Sequence, residues 1–383
     1  MKNRNPDGFD YSYWSVPTLL SFSQDESFIR AVIGPFGSGK SSACVVEIFQ
    51  RALSQTPGKD GMRRSRWAVL RNTYPQLKDT TIKTFHQWFP PEHCGKYNIS
   101  THDYTIQIAD VSIEVLFRAL DRPDQVSNLL SLELTGAWIN EFKEVPFAVF
   151  EAIQGRVDRY PAKKDGGCTW TGVIMDSNPP DTDSKYYRYF EESEVVPAQQ
   201  YLNLIKNGGD VSNLRPDNAR IFKQPSGLSP QAENLDNLSE SYYLNLASGK
   251  GQDFTNVYVH GKYGYVKEGK SVYSSSWNDD MHVSKEPMTV NTARPIVLGF
   301  DFGLTPACVV CQVTPSGGFS VLQELVSENM GLKQFVQNRL KPELLKYRDI
   351  EIVGYGDPAG TQRSQTDERT CYGILSSAGF SGI

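Results

Sequence analysis

Apolar residues in the first half of the chain fall into short runs that end in polar or glycine-rich turns. Runs of this length predict buried strands. They lie at residues 28–33, 66–71, 132–140 and 171–180. Between the first two runs, apolar positions recur at helical spacing over residues 41–53, with Ala43, Val46, Phe49 and Leu53 on one face. The succession of strand, glycine-rich turn and helix predicts an α/β nucleotide-binding fold.

Alternation of apolar and polar residues over 104–118 predicts a β-hairpin that turns at Asp110-Val111. A helix is expected after the third apolar run, from Pro146 to Gly155. Residues 180–240 are polar and rich in Asn, Asp, Ser and Pro, which favours a connector or subdomain over a core, and we place it at about residues 181–268. Strand-like alternation returns at 257–266.

A second series of strands follows a polar stretch at 269–292, which we interpret as a linker. From residue 293 the pattern predicts the order β-β-β-α-β, with the helix over 331–347. The sequence therefore predicts two domains, 1–268 and 293–383, the first with its core over about residues 28–180.

The composition is that of an ordinary globular protein, with 383 residues, 39% hydrophobic residues and a net charge of -5. The chain contains no apolar run long enough to predict a transmembrane helix, and its N-terminus lacks the apolar segment of a secretory signal. The negative charge neither predicts nor excludes nucleic-acid binding, because affinity depends on local basic patches. The best such patch extends from Lys59 to Arg71, with a solvated loop as the alternative.

The six cysteines are scattered along the chain, which indicates reduced thiols in a cytoplasm-like compartment. Cys308 and Cys311 have the spacing of a metal-binding pair, but no second pair and no histidines follow at ligand spacing. We therefore interpret the segment around them, residues 307–313, as a buried strand.

Residues 34–41 match the phosphate-loop pattern GxxxxGK[ST] at every fixed position, between a predicted strand and a predicted helix. Glycines let backbone N–H groups converge on phosphate oxygens, Lys40 reaches the β- and γ-phosphates of ATP, and the Ser41 hydroxyl ligates Mg²⁺. The alternative is a glycine-rich turn with an incidental lysine. The predicted nucleotide-binding residues of this segment are Gly34, Gly37, Ser38, Gly39, Lys40, Ser41 and Ser42.

Two later strand ends supply polar residues for the same site. Glu141 is the predicted catalytic acid that orients the attacking water, with a plain surface acid as the alternative. Motors of this type carry Asp immediately before that Glu to hold the Mg²⁺ shell, whereas this chain has Asn140, which brings no charge. Asn178 or Ser177 is a candidate sensor of the γ-phosphate, with a plain β-turn as the alternative. The charge-stabilising arginine stays open among Arg118, Arg122, Arg156 and Arg159.

Acidic residues also end two strands of the second predicted domain. Asp301 follows the run 296–300, and Asp357 lies at the end of the run 350–355, after Gly356. Carboxylates at neighbouring strand ends can hold the two Mg²⁺ or Mn²⁺ ions of a nuclease against a scissile phosphate. Glu324 is a third candidate ligand, and the alternative for all three is a turn-forming or surface acid.

Taken together, these motifs resemble the large terminase subunits of tailed bacteriophages, over about residues 28–375. The resemblance depends on the phosphate loop and on the segments that follow it in order: Asn140-Glu141, Ser177-Asn178-Pro179, the GFDFG of 299–303 and the GDPAG of 356–360. The stretches around Arg71-Asn72-Thr73, GRVDRYP and VHGKYG are also similar to that family.

The resemblance implies an ASCE-type P-loop ATPase domain followed by an RNase H-like nuclease domain. It implies a DNA-dependent ATPase that binds ATP and Mg²⁺, packages double-stranded DNA into a procapsid in the bacterial host cytoplasm, and cuts concatemeric DNA as an endonuclease. The implied partners are the portal protein, a small terminase subunit and further copies of the chain in a ring, with no membrane. Family members continue to another Asp beyond the GDPAG region, so the nuclease domain is expected to be C-terminally incomplete.

Two other functions stay open at this point. A nucleotide- and DNA-binding scaffold with little turnover would accord with Asn140 and with the missing last acid. A repair or recombination helicase-like ATPase would usually need a second motor domain, where this chain has strand-end acids instead. Nucleotide binding without turnover would favour the scaffold.

Overall fold

The computed structural model describes residues 11–120, 129, 131–264, 279–286, 288–303, 305–327, 330–361 and 370–380. The chain folds as two compact units, Met1–Gly269 and Lys270–Ile383. The division falls at the start of the stretch that the sequence predicts as a linker, 269–292. Among the described residues, no helix has both the length and the apolar character needed to cross a membrane.

The first unit contains an eight-stranded sheet and a separate two-stranded one. Its strands are β1 (Ile29–Ile33), β2 (Arg63–Arg71), β3 (Gly95–Asn98), β4 (Asp103–Ile108), β5 (Val111–Ala119), β6 (Gly136–Asn140), β7 (Gly172–Ser177), β8 (Glu194–Val196), β9 (Leu214–Pro216) and β10 (Ala219–Lys223). The large sheet has the order β10-β1-β7-β6-β2-β5-β4-β3, and β8 pairs with β9. Strands β10 to β5 of this order are parallel, while β4 pairs in antiparallel fashion with β5 on one side and with β3 on the other. Strand β7 lies between β1 and β6, which is the strand order of an ASCE-type P-loop ATPase.

The helices of the first unit are α1 (Pro17–Gln24), α2 (Lys40–Ser54), α3 (Tyr74–Gln76), α4 (Lys83–Trp88), α5 (Pro91–Cys94), α6 (Phe147–Gln154), α7 (Lys185–Tyr187), α8 (Ala198–Lys206), α9 (Tyr242–Ala247) and α10 (Gln252–Tyr258). A π-helical turn, Leu77–Ile82, joins α3 to α4. Other short helical turns lie at Phe142–Glu144, Lys163–Asp165, Arg188–Glu192 and Leu235–Asn237.

Both faces of the large sheet are covered, as is typical of parallel strands. Trp138 and Ile174 enter a core shared with α1, α2 and α4. Their strand neighbours Ile139 and Met175 enter the opposite core, which includes α6. Since side chains alternate between the faces of a strand, every second residue of β6 and β7 points towards α2.

The predicted strands of the first half and the helix after Pro146 are confirmed, with small shifts in their bounds. The hairpin turns at Ala109-Asp110, one residue earlier than predicted, because Val111 pairs with Ile108 inside the ladder. The predicted face of α2 is wrong at its end, since Leu53 is 45% exposed. The helix buries Cys44 instead, because α1 and α4 also pack on α2.

The prediction for residues 181–268 is wrong in two places. Strand β10 belongs to the large sheet, where it pairs with β1 in parallel. Residues 257–266 do not form a strand in their described part, because Val257 and Tyr258 end α10 and a turn follows. Val257 and Val259 are both buried, so the alternation reflects burial at a helix end and not a strand. Short apolar alternation does not distinguish the two cases.

The second unit is an RNase H-like arrangement of one sheet and a helical segment. Its strands are β11 (Ile296–Asp301), β12 (Ala307–Val313), β13 (Phe319–Val326) and β14 (Ile352–Gly356), in the order β13-β12-β11-β14. Its helices are α11 (Asp279–His282), α12 (Leu332–Phe335), α13 (Lys341–Leu344) and α14 (Cys371–Ser377), with helical turns at Val336–Leu340, Leu345–Tyr347 and Pro358–Thr361. The predicted order β-β-β-α-β is confirmed, and β14 is parallel to β11.

The two cysteines of the CxxC segment lie in β12, as the strand interpretation predicts. Cys308 enters the core beneath the sheet, together with Leu298 and Val310. Residues three apart in a strand point to opposite faces, so Cys308 and Cys311 do not converge on one metal ion. Burial raises the pKa of the Cys308 thiol to about 12.

Candidate functional site

The phosphate loop connects β1 to the first turn of α2. Lys40 is buried, and its Nζ donates to the carbonyl oxygens of Gly34 at 3.1 Å and Pro35 at 2.7 Å. Burial lowers the pKa of Lys40, while the charges of Glu141 and Asp176 oppose that shift. Lys40 thus lies inside the loop, with its charge facing two carboxylates.

Three glycines are required by the geometry of the loop. Gly37 and Gly39 have φ of 72° and 85°, a backbone conformation that side chains with a Cβ rarely adopt. At Gly34, a Cβ atom would lie 2.4 Å from Oε1 of Gln224, so a larger residue cannot fit without movement of Gln224. Of the other predicted loop residues, Ser38 donates its hydroxyl to the Pro35 carbonyl at 2.8 Å. The Ser42 hydroxyl accepts from the Trp88 indole at 3.1 Å.

A later segment, residues 224–258, holds the phosphate loop from outside. Three side chains of this segment donate to loop carbonyls over 2.7 to 2.9 Å: Gln224, Asn234 and Tyr243. The Tyr258 ring stacks on Phe36, with 4.3 Å between centroids. Lys143, two residues after Glu141, donates to the Tyr258 hydroxyl at 3.3 Å. Sequence analysis missed these contacts, because nothing local in a polar stretch identifies a partner so distant in the chain.

Ser41, Asn140 and Asp176 form one hydrogen-bonded network at the carboxyl edge of the large sheet. The Ser41 hydroxyl donates to Oδ2 of Asp176 at 2.6 Å. Asn140 donates through Nδ2 to Oδ1 and Oδ2 of Asp176, at 3.0 and 3.2 Å. The Trp138 indole donates to Oδ1 at 2.7 Å. Burial raises the pKa of Asp176, and the charge of Glu141 adds to that effect.

The other side of Asn140 faces two donors. Its Oδ1 accepts from the Thr81 hydroxyl at 2.6 Å and from Nη1 of Arg71 at 3.3 Å. Thr81 lies in the π-helical turn between α3 and α4, and such turns are frequent at functional sites. The amide orientation of Asn140 therefore follows from its surroundings, with oxygen towards Thr81 and nitrogen towards Asp176.

Glu141 lies directly after β6 in a left-handed backbone conformation, with φ = 51° and ψ = 56°. A residue with a side chain is strained there, and such strain collects at functional sites. Its carboxylate accepts from the Ser177 hydroxyl at 3.0 Å and from the Asn178 backbone N–H at 3.3 Å. Asn178 also donates through Nδ2 to the Gly34 carbonyl at 2.8 Å. The turn after β7 therefore connects Glu141 to the phosphate loop.

An arginine that was not among the four sequence candidates, Arg71, contacts this network. Arg71, at the end of β2, is buried and lies between Asn140 and Glu144, with Nη2 3.4 Å from the Glu144 carboxylate. Of the four candidates, Arg118 pairs with Asp103 at 2.7 Å and Arg159 is exposed. The Arg156 carbonyl accepts from the Leu134 amide at 3.0 Å, and Arg122 lies outside the described residues.

The basic segment Lys59–Arg71 is largely neutralised by neighbouring acids. Its ion pairs are Arg63–Asp110, Arg64–Asp60 and Arg66–Glu114. Arg66 also lies over the Tyr160 ring, at 4.0 Å from its centroid. The segment is therefore not the continuous basic patch that its sequence indicates.

In the second unit, Asp301 ends β11 and Asp357 follows β14. The ladder pairs Phe300 with Gly356, so the two acids leave neighbouring parallel strands at the same level. Asp301 and Glu324 both line a cavity of about 430 Å³ on the exposed face of the sheet. Among the described residues, however, no three Asp, Glu, His or Cys side chains are arranged to hold a metal ion. Glu324 does not complete a cluster with the two aspartates, because β12 lies between β13 and β11.

Comparison with known proteins finds no matching family model and no matching curated protein. Solved structures do match. The large terminase of a thermophilic bacteriophage is 14% identical, with a TM-score of 0.46, over 98% of this chain and 82% of that one. The HK97 bacteriophage large terminase is 11% identical, with a TM-score of 0.44, over 92% of this chain and 71% of that one.

A third similar structure is the ATPase domain of the large terminase from a Thermus phage. It is 15% identical, with a TM-score of 0.41, over 64% of this chain and 92% of that one. All three are large terminases. The protein from the thermophilic bacteriophage has also been solved with ADP and with ATP-gamma-S. These structures come from the family that the sequence motifs resemble.

Proposed function

We propose that this chain is a large terminase subunit that hydrolyses ATP to move double-stranded DNA into a procapsid. One observation supports the proposal most strongly. The phosphate loop, Ser41 and Glu141 lie at the same edge of the sheet, and the turn after β7 connects Glu141 to the phosphate loop. ATP hydrolysis needs a phosphate cradle and a water-orienting acid in the same place.

The roles follow from the contacts. Lys40 exchanges its bonds to loop carbonyls for the β- and γ-phosphates. Glu141, fixed by Ser177 and by the Asn178 amide, accepts a hydrogen bond from the attacking water. Mg²⁺ prefers oxygen ligands, and the Ser41 hydroxyl beside a buried carboxylate is such a donor set. Mg²⁺ held there would supply positive charge to the phosphates during transfer.

The turn Ser177-Asn178-Pro179 is the proposed coupling element. It binds Glu141 on one side and the Gly34 carbonyl on the other. Movement of the loop upon phosphate release therefore changes the hydrogen bonds of Glu141 and of this turn together. The segment 224–258 contacts the loop as well, so it is the proposed route by which the change reaches the rest of the first unit.

The test is ATP turnover by the purified chain with and without linear double-stranded DNA. We expect turnover that increases with DNA and is lost in Lys40→Ala. Lys206→Ala, at an exposed lysine outside both the ATP site and the basic segment, is the matched control and should behave like the parent. DNA-independent turnover would contradict the motor, and nucleotide binding without any turnover would favour the scaffold.

For the second unit we propose metal-dependent cutting of concatemeric DNA. Asp301 and Asp357 at neighbouring strand ends support it, because paired carboxylates can hold Mg²⁺ or Mn²⁺ against a phosphate. Asp301→Asn should abolish Mn²⁺-dependent nicking of supercoiled plasmid and leave DNA-stimulated ATP turnover intact. The control is Asp349→Asn, whose side chain is 90% exposed. Equal nicking by parent and Asp301→Asn would remove the nuclease proposal.

The proposed setting is the cytoplasm of a bacterial host, where the chain acts as a ring of identical subunits on the portal of the procapsid. The small terminase subunit is the proposed partner in DNA selection. The two compact units correspond in this proposal to the motor and nuclease domains, joined at the linker 269–292. Co-sedimentation with procapsids that contain or lack the portal protein tests the location.

A further inference from the structure

Asn140 occupies the position at which a P-loop motor carries the aspartate of the magnesium site. Asp176 is its cross-strand partner, since the ladder between β6 and β7 pairs these two residues. Paired residues of adjacent strands point to the same face of a sheet. Residues 138 and 174, two positions earlier on each strand, lie in the core shared with α2. Either position can therefore present a carboxylate to the first turn of α2.

We propose that the magnesium-ligating carboxylate of this ATP site is Asp176 on β7, and that Asn140 on β6 positions it. The proposal rests on the ATP-binding function proposed above and names the residue that completes it. The hydroxyl of Ser41 lies 2.6 Å from Oδ2 of Asp176 and 3.3 Å from Nδ2 of Asn140. The carboxylate of the site therefore belongs to β7, the neighbour of β6.

The environment of Asp176 fits a cation site. The side chain is fully buried, and burial of a carboxylate is costly unless it is paired or binds a metal. Its hydrogen-bond donors are the neutral groups of Ser41, Asn140 and Trp138. Lys40, whose charge interacts with this carboxylate, has its Nζ bonded to loop carbonyls. A divalent ion beside Ser41 supplies the positive charge that this carboxylate needs.

The amide of Asn140 is required by that arrangement. Its oxygen faces Thr81 and Arg71, and its nitrogen donates to both oxygens of Asp176. A carboxylate at position 140 would place like charges about 3 Å apart, where both cannot ionise readily. One carboxylate and one amide therefore suit the pair of positions, and the carboxylate stands on β7. In this proposal the chain keeps its magnesium site although position 140 has no carboxylate. The carboxylate is that of Asp176, and Asn140 positions it.

The experiment measures how much Mg²⁺ tightens nucleotide binding. The dissociation constant of a fluorescent ADP analogue is determined in Mg²⁺ and in EDTA, and their ratio reports the coupling between ion and nucleotide. Asp176→Asn should lower this ratio about tenfold or more, as loss of a metal partner does, while affinity in EDTA stays near that of the parent. The double variant Asn140→Asp/Asp176→Asn, which exchanges the two side chains, should recover most of the ratio. Asp349→Asn, in the second unit and with a side chain that is 90% exposed, is the matched control.

Thermal unfolding establishes that each variant is folded, and the exchanged variant carries the test if Asp176→Asn does not fold. An unchanged ratio in folded Asp176→Asn would overturn the proposal. A folded exchanged variant that fails to recover the ratio would overturn the equivalence of the two positions. Absence of DNA-stimulated turnover in the parent, with the ratio behaving as expected, would remove the motor function and leave the magnesium site standing.

Discussion

Replacement of Asn140 by Asp, which restores the aspartate expected before Glu141, should destabilise the protein at neutral pH. In the parent, Nδ2 of Asn140 lies 3.0 and 3.2 Å from the two oxygens of Asp176. The substitution exchanges a donor for a second acceptor at that distance. Asp176 is fully buried, so solvent does not screen the repulsion between the two carboxylates.

The size of the destabilisation is limited because one of the two carboxylates can take up a proton. Two charges 3 Å apart repel by about 5 kcal/mol at an effective dielectric constant of about 20. Holding a carboxyl with an ordinary pKa of about 3.9 protonated at pH 7 costs about 4 kcal/mol, which is less. Nη1 of Arg71 lies 3.3 Å from Oδ1 of residue 140, so its positive charge favours the ionised form of the introduced carboxyl. This attraction reduces the destabilisation further. We expect about 2–4 kcal/mol at pH 7.

The destabilisation by Asn140→Asp should depend on pH in a characteristic way. The introduced carboxyl has a higher pKa in the folded than in the unfolded chain, so the folded state holds its proton longer. The added cost is near zero below about pH 4, and it grows by about 1.4 kcal/mol per pH unit until the folded pKa is passed. When protonated, the carboxyl donates to Asp176 as the amide does. Asn140→Ala loses the same donor without adding a charge. Because that hydrogen bond lowers the pKa of Asp176, this variant should show a slope of the same sign that is clearly smaller.

The assay is urea unfolding of the full chain in EDTA between pH 4.5 and 8, followed by tryptophan fluorescence. Three of the tryptophans, Trp67, Trp138 and Trp170, are buried in the first unit. The difference in stability between parent and Asn140→Asp should widen as pH rises. A difference that is constant with pH, or a variant more stable than the parent at pH 8, would refute the reasoning about this pair.

Three further predictions concern the same unit. Glu141→Gln should lower ATP turnover by about 100-fold or more with nucleotide affinity retained, because an amide keeps the shape and cannot take up a proton; equal turnover would assign the acid elsewhere. Gly34→Ala should destabilise by about 1–3 kcal/mol in thermal unfolding. Gln224→Ala in the same chain removes the Oε1 contact at 2.4 Å and keeps the Cβ contact at 2.8 Å, so it should recover part of the loss; no recovery would mean that a remaining contact limits the site. The Cys44 thiol, whose pKa burial raises, should react with a thiol reagent only on unfolding, whereas the partly exposed Cys94 should react earlier; rapid modification of Cys44 in the native chain would contradict the packing of α2.

Sequence patterns were sufficient where the information is local. The phosphate loop, α2 and the strands that end at Asn140 and Ser177 each carry their signal within a few residues, and the structure has them at the predicted places. The β-β-β-α-β order of the second unit followed in the same way from apolar runs and one helical segment. Periodicity reports which residues are buried, so it failed where burial has another cause, as at Val257 and Val259.

The network around Asp176 could not be predicted from local pattern, since it depends on which strands become neighbours. Strand β7 follows β6 in sequence but lies between β6 and β1, so Asp176 is placed against both Asn140 and Ser41. One signal was available: the chain lacks an aspartate before Glu141 and carries one at the end of the next strand. Arg71 was assigned to a surface patch for the same reason, although the ladder brings it beside Asn140.

We propose that this chain is an ATP-driven DNA motor. Steady-state ATP hydrolysis is the most direct test of that function. The rate is measured for the parent and for Lys40→Ala at saturating Mg²⁺ and ATP, over increasing concentrations of linear double-stranded DNA. We expect a rate that rises with DNA in the parent and stays at background in Lys40→Ala. A parent rate at background, or one that neither responds to DNA nor depends on Lys40, would contradict it.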